Sequence, residues 1–244
     1  MSAVEHEVYA DADELAETAA RRALEVLQAA AEERGVAHLV VTGGGILERS
    51  LAAMAVPEAL DWSKVHVWWG DERYVPAGSD DRNDKPAMAK LFDHVPYEPT
   101  QLHRMPAAED VYPDAEDAAD AYAQELRSQA PEDGDVPTFD VVLLGVGPDG
   151  HCASLFPGHP GTRVLDASVI AVPDSPKPPP TRLSLTFPAL DAARQVWFIA
   201  SGESKAEAVA RALGGAPREE VPSAGPRGRE RTLWLLDRDA ASRL

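Results

Sequence analysis

The segment Phe139-Asp-Val-Val-Leu-Leu-Gly145 constrains the fold more than any other. Its apolar residues run on without the alternation expected of a strand with one wet face. A strand of this kind is covered on both sides, as in sheets built mainly of parallel strands with helices above and below.

The rest of the chain supplies the alternating partners of such a sheet. His38–Thr42, Val65–Trp69, Ser168–Val172, Arg182–Phe187, Gln195–Ala200 and Thr232–Leu236 read as further strands. Asp11–Arg34 carries Leu15, Ala19, Ala23, Val26 and Ala30 at helical spacing, and Gly35 ends it. Helices are also predicted over Leu47–Ala55, stopped by Pro57, over Asn83–Phe92, Asp114–Ala130 and Glu203–Leu213. Gly70–Pro76, Ala77–Asp84, the proline-rich stretches Pro96–Pro113 and Pro173–Pro180, and Pro217–Arg231 read as loops. The expected architecture is α/β, Rossmann-like and doubly wound, a mainly parallel sheet with helices on both faces, in a single domain over residues 1–244.

Composition narrows the function. A hydrophobic fraction of 44% is enough for a large core. No apolar stretch approaches the roughly 20 residues of a membrane helix, and the N-terminus lacks a signal-peptide pattern. One cysteine, Cys152, excludes an intrachain disulfide and a thiolate-rich zinc site, which suits a cytoplasmic protein. A net charge of −18 argues against nucleic acid and anionic lipid as partners. An anionic ligand would need a local cluster of cations to overcome that field.

Ligands of doubly wound sheets bind beyond the carboxyl ends of the strands. Three predicted strands end in loops that can carry chemistry, beginning at Thr42, Gly70 and Gly145. Gly145-Val-Gly-Pro-Asp-Gly-His151 sets His151, a natural general base near neutral pH, two residues from Asp149 among glycines that let a ligand approach. As an isolated motif, Pro-Asp-Gly would be a turn with a capping His; its place after a buried strand favours function. His159, between Gly158 and Pro160, reads as a loop residue, and Cys152 as a packed thiol. Asp71-Glu-Arg73 offers a permanent cation in Arg73 and a carboxylate, Asp71, that can act as a base or position it; the plainer alternative is a surface ion-pair cluster. The turn Gly43-Gly44-Gly45 before a helix offers backbone N–H groups to an anion, although it is neither a P-loop nor a dinucleotide fingerprint. Arg182 and Lys205 stand at loop ends. In a chain with only five lysines they are candidates for phosphate.

Together these segments resemble the 6-phosphogluconolactonase family. The matching stretches are Trp69-Gly-Asp-Glu-Arg-Tyr-Val-Pro76 with Asn83-Asp84, Leu144 to Pro160, Pro178 to Leu190, Ser201 to Val209, Pro222-Ser223 and Trp234-Leu-Leu-Asp237. The resemblance implies hydrolysis of 6-phospho-D-glucono-1,5-lactone to 6-phosphogluconate, without metal or cofactor, by a monomer or weak homo-oligomer. It implies that His151 activates water and that Arg73 assists at the lactone carbonyl or at the substrate's polar groups. Arg182, Lys205 and the glycine loop Gly43–Gly45 would hold the phosphate.

Two positions depart from the family pattern. The first loop commonly reads Ser-Gly-Gly-Ser-Thr-Pro, whereas here it is Thr42-Gly-Gly-Gly-Ile-Leu47, lacking two hydroxyls and the proline. Cys152 stands where Thr is usual. Two other readings share the fold. A glucosamine-6-phosphate deaminase/isomerase would carry Asp-Glu-Tyr where Asp71-Glu72-Arg73 stands, and a different run after His151. A non-catalytic sugar-phosphate sensor would add a DNA-binding segment for which this chain has no room.

Overall fold

The structure, a computed structural model, describes residues 3–56, 59–109, 111–112 and 114–244. Pro57 and Pro113, the expected helix stop and the last proline of an irregular stretch, lie outside them.

Seven parallel strands form the main sheet: β1 (Val4–Tyr9), β2 (Ala37–Val41), β3 (Val65–Trp69), β5 (Leu102–His103), β6 (Val141–Gly145), β9 (Gln195–Ala200) and β10 (Arg231–Asp237). Their spatial order is β1-β10-β9-β6-β2-β3-β5. From β2 the chain winds one way through β3 to β5, and from β6 the other way through β9 and β10. The winding therefore reverses between β2 and β6, where Leu39 pairs with Val141. Val141 to Leu144 are all buried, as expected of a central strand.

Asp11 opens α1 (Ala12–Arg34) by accepting the N–H groups of Asp13 and Glu14, and Gly35 closes it at φ 78°. Its buried stripe, which includes Leu15, Ala19, Ala23 and Leu27, packs toward β2, β6 and β10. α2 (Gly45–Ala53) lies beside it, against β6 and β9. α3 (Asp84–Lys90), α5 (Phe187–Asp191) and α6 (Ala206–Leu213) are short. α4 (Ala115–Ser128) places the buried Tyr122 hydroxyl against Trp69, whose N–H it accepts at 2.9 Å.

Three expectations are corrected. Asp71–Arg73, expected as loop, is a strand, β4. It pairs antiparallel with β8 (Arg182–Leu185), and β8 with β7 (Val169–Val172), in a second sheet ordered β4-β8-β7. These segments therefore do not join the parallel sheet. The expected strand Arg182–Phe187 stops at Leu185, because Pro188 stands at the start of α5. β1 and β5 were not expected. β1 is a charged edge strand, Val-Glu-His-Glu-Val-Tyr, with no apolar run to betray it. β5 is only two residues long.

Candidate active site

The first and third predicted loops meet at the point where the winding reverses. Thr42-Gly43-Gly44-Gly45 follows β2, and Gly145 to His151 follows β6. Together with β4, β8 and the start of α6 they enclose a cleft of about 490 Å³. Gly43, Gly44, Gly45, Asp71, Arg73, His151, Arg182 and Lys205 all line it. Asp149 does not line it, but contacts His151 from behind.

Nδ1 of His151 lies 2.5 Å from Oδ1 of Asp149. Two features force that contact. Gly150 turns the chain at φ 88°. Gly147 lacks the Cβ that would otherwise occupy the space of the imidazole and the carboxylate. The ring is backed by Phe156, with centroids 4.7 Å apart. Burial favours the protonated form of Asp149, but the hydrogen bond and charge of His151, with the charge of Lys177, outweigh it and hold the carboxyl well below its usual range. An ionised Asp149 can only accept, so Nδ1–H of His151 donates to it, and in the neutral ring this tautomer has its lone pair on Nε2.

Strand geometry sorts the Asp71-Glu72-Arg73 motif. Successive side chains alternate, so Asp71 and Arg73 face the cleft while Glu72 points into the core. Asp71 accepts a hydrogen bond from Ser154 Oγ at 2.7 Å; it does not contact His151. Arg73 donates through Nη1 to the carbonyl of Asp81 at 2.5 Å, and its Nε has no hydrogen-bond partner. Glu72 accepts the N–H groups of Arg73, Asn83 and Asp84 and lies 3.6 Å from Arg82. Burial pushes its carboxyl up to about 7 against the pull of Arg82 and those amides. Glu72 thus fixes the 82–84 turn. Asn83 sits directly over Gly43, where a Cβ would collide with it, and donates to the Asp71 carbonyl at 3.0 Å.

Arg182 is buried. Its Nε donates to the Pro179 carbonyl and its Nη2 to those of Lys177 and Pro178, each at 3.2 Å. This clamps the proline-rich loop and presents Lys177, whose Nζ lies 3.3 Å from His151 Nδ1 and 3.7 Å from Asp149 Oδ1. With Nδ1 donating to Asp149, the ammonium acts on the pair through its charge. Lys205 is half-buried, and its ammonium makes no hydrogen bond or ion pair among the described residues. Burial, then the charge of Lys177, depresses its pKa. The turn before it is pinned by Asp237, which accepts from Ser201 Oγ and the Gly202 N–H.

Sequence reasoning missed Lys177, Asn83 and Arg49, all of which line the cleft. The scarcity of lysine was a usable signal for Lys177, because it follows the rule that singled out Lys205. His159 has both ring nitrogens engaged, with the Pro173 carbonyl and the Gly161 N–H, as suits a loop residue. Cys152 is buried, and burial pushes its thiol far above the usual value.

A doubly wound sheet with a His–Asp pair at its point of reversal places the protein among the α/β enzymes that bind small ligands beyond the carboxyl ends of their strands. Comparison with known proteins narrows that class. The model of the family described as glucosamine-6-phosphate isomerases/6-phosphogluconolactonase matches residues 10–234, and the chain belongs to this family. It is 52% identical over 243 residues to the 6-phosphogluconolactonase of Streptomyces coelicolor, covering 97% of this chain and 93% of the relative. It is 48% identical over 242 residues to that of Mycobacterium tuberculosis, covering 98% and 97%. The solved 6-phosphogluconolactonase of Trypanosoma brucei superposes with a TM-score of 0.85 at 27% identity, over 100% of both chains. A monomeric glucosamine-6-phosphate deaminase shares the fold, with a TM-score of 0.81 at 21% identity over 98% of this chain and 100% of the other. No helix among the described residues is long and apolar enough to cross a membrane.

Proposed function

We propose that this chain hydrolyses 6-phospho-D-glucono-1,5-lactone to 6-phospho-D-gluconate, the second step of the oxidative pentose phosphate pathway, using neither metal nor cofactor. The observation that carries the reading is the contact between His151 and Asp149 at the edge of a cation-lined cleft. Relatives of the same name at about half identity over nearly the whole chain support the substrate.

The chemistry needs one base, one oxyanion partner and a grip on the phosphate. Nε2 of His151 takes a proton from water as the water oxygen attacks the lactone carbonyl carbon. The carbonyl electron pair moves onto oxygen, where the guanidinium of Arg73, which lines the cleft, can meet the charge. Collapse of the tetrahedral intermediate breaks the bond to the ring oxygen, which takes the proton back from the imidazolium. General-base catalysis of this kind supplies about 10²–10⁴-fold. Lys205, the remaining nitrogen of Arg182 and the amides of Gly43–Gly45 bind the phosphate and orient the ring. The whole chain acts as one catalytic domain, as a monomer or weak homo-oligomer in the cytoplasm.

The test is a pH-controlled assay of lactone hydrolysis with a chelator present. Turnover that survives the chelator is expected, with no ammonia released from glucosamine 6-phosphate. Absent lactone turnover, or ammonia release, overturns the assignment.

A further inference from the structure

The first loop faces a problem that the rest of the cleft has to solve. Its one hydroxyl is already engaged with backbone: Thr42 Oγ1 donates to the Leu143 carbonyl at 3.1 Å and accepts from the Gly145 N–H at 3.4 Å. It ties β2 to β6. The loop is left with backbone donors alone, since glycine, Ile46 and Leu47 follow. Arg182 is also short of free donors, because three carbonyls occupy its Nε and Nη2. A dianionic phosphate calls for a further cation beside Lys205 and the one remaining nitrogen of Arg182.

The neighbouring cation that can supply it is Arg49, one turn into α2. Arg49 lines the cleft, as Lys205 does. Its side chain is 60% exposed, and its one ion pair among the described residues is with Asp13 of α1, itself 82% exposed, at 3.0 Å. Exposed pairs of this kind are weak, so a phosphate can take over the guanidinium at little cost. A guanidinium also offers a planar fork of donors that matches two phosphate oxygens at once, which an ammonium does not.

We propose that Arg49 is the bidentate phosphate-binding residue of this cleft, working with Lys205 and replacing the hydroxyl donors that the Thr42–Leu47 turn lacks. Arg182 then adds its one remaining nitrogen to the phosphate while it holds the Lys177–Pro179 loop. The proposal rests on the assignment of a phosphorylated lactone as substrate and locates that substrate's phosphate.

The experiment compares Arg49→Ala and Arg49→Lys with the parent on 6-phosphoglucono-1,5-lactone and on unphosphorylated glucono-1,5-lactone. It also measures binding of 6-phosphogluconate by calorimetry. Arg49→Ala should raise KM for the phosphorylated lactone about tenfold to a hundredfold, the effect of losing a hydrogen-bonded charge, with kcat little changed. It should leave hydrolysis of the unphosphorylated lactone as in the parent and weaken 6-phosphogluconate binding by a similar factor. Arg49→Lys should recover part of the loss. An unchanged KM and product affinity, or an equal loss on both lactones, overturns the proposal. If the parent turns over neither lactone, the reaction assignment falls and calorimetry alone decides: weaker binding in Arg49→Ala upholds the phosphate role. A parent that does not bind 6-phosphogluconate overturns both.

Discussion

Oδ1 of Asp149 and Nδ1 of His151 lie 2.5 Å apart because residue 147 has no side chain. The carboxylate fixes the tautomer that presents a lone pair on Nε2. His151→Ala should therefore abolish lactone hydrolysis while the protein keeps its circular dichroism spectrum and melting temperature. Asp149→Asn keeps the shape but can leave the ring in the wrong tautomer. It should lower kcat by about 10²-fold or more, within the range of general-base effects. Gly147→Ala should be nearly as damaging, because its methyl group displaces both members of the pair. Near-parent kcat in any of the three, measured by lactone depletion at fixed pH, contradicts this account.

Arg182 offers a different kind of test. Its guanidinium is buried and holds three carbonyls, so removing it orphans those acceptors and releases Lys177 from His151. Arg182→Ala should lose about 1.5–3 kcal/mol of stability, the usual effect of hydrogen bonds to a charged group. It should also lower kcat as well as raise KM. Chemical denaturation together with steady-state kinetics checks this. A pure KM effect on a protein of parental stability would show that Arg182 acts on the substrate alone and does not hold the loop.

These contacts also show what could be read from the sequence. The segments holding Gly43–Gly45, Arg73 and His151 were legible because glycine and reactive side chains follow apolar strands, and such strand ends converge in a doubly wound sheet. The partner of His151 was not legible: nothing local decides between Asp149 and Asp71, and only the turn at Gly150 and the gap at Gly147 select Asp149. The contact of Asp71 with Ser154 spans 83 positions and leaves no local signal. The second sheet was missed for a related reason. β4 is three residues of charge, Asp-Glu-Arg, which read as loop until the backbone of β8 pairs with it. Edge strand β1 was hidden by its charges.

Cys152 is the chain's only thiol and is packed in the core with its ionisation suppressed. It should not react with a disulfide reagent until the protein unfolds, because the thiolate is the reactive form. Cys152→Thr, a change of similar volume, should retain most activity. Rapid labelling of the native protein, or loss of turnover in the threonine variant, would reopen a chemical role for the sulfur.

On the far side of β2, three histidines stand on adjacent strands. His38 is in register with His66, and Trp68 with His103. His66 Nδ1 is 2.8 Å from His103 Nε2, His103 Nδ1 is 2.6 Å from Glu125, and Trp68 Nε1 donates to His38 Nδ1 at 3.2 Å. Burial, then the neighbouring His66 and His103, with Arg34, pushes His38 down to about 3. Between pH 6.5 and 3 the unfolded chain takes a proton at this position and the native protein does not. The stability that His38 confers is thus present above pH 6.5 and drains away as pH falls toward 3. His38→Asn keeps an acceptor for Trp68 but does not titrate. The gap between variant and parent should narrow on acidification by on the order of 2 kcal/mol, with partial exposure of the ring moderating the effect. Denaturant melts across that pH range measure it. A gap independent of pH would show that His38 titrates alike in the folded and unfolded chains.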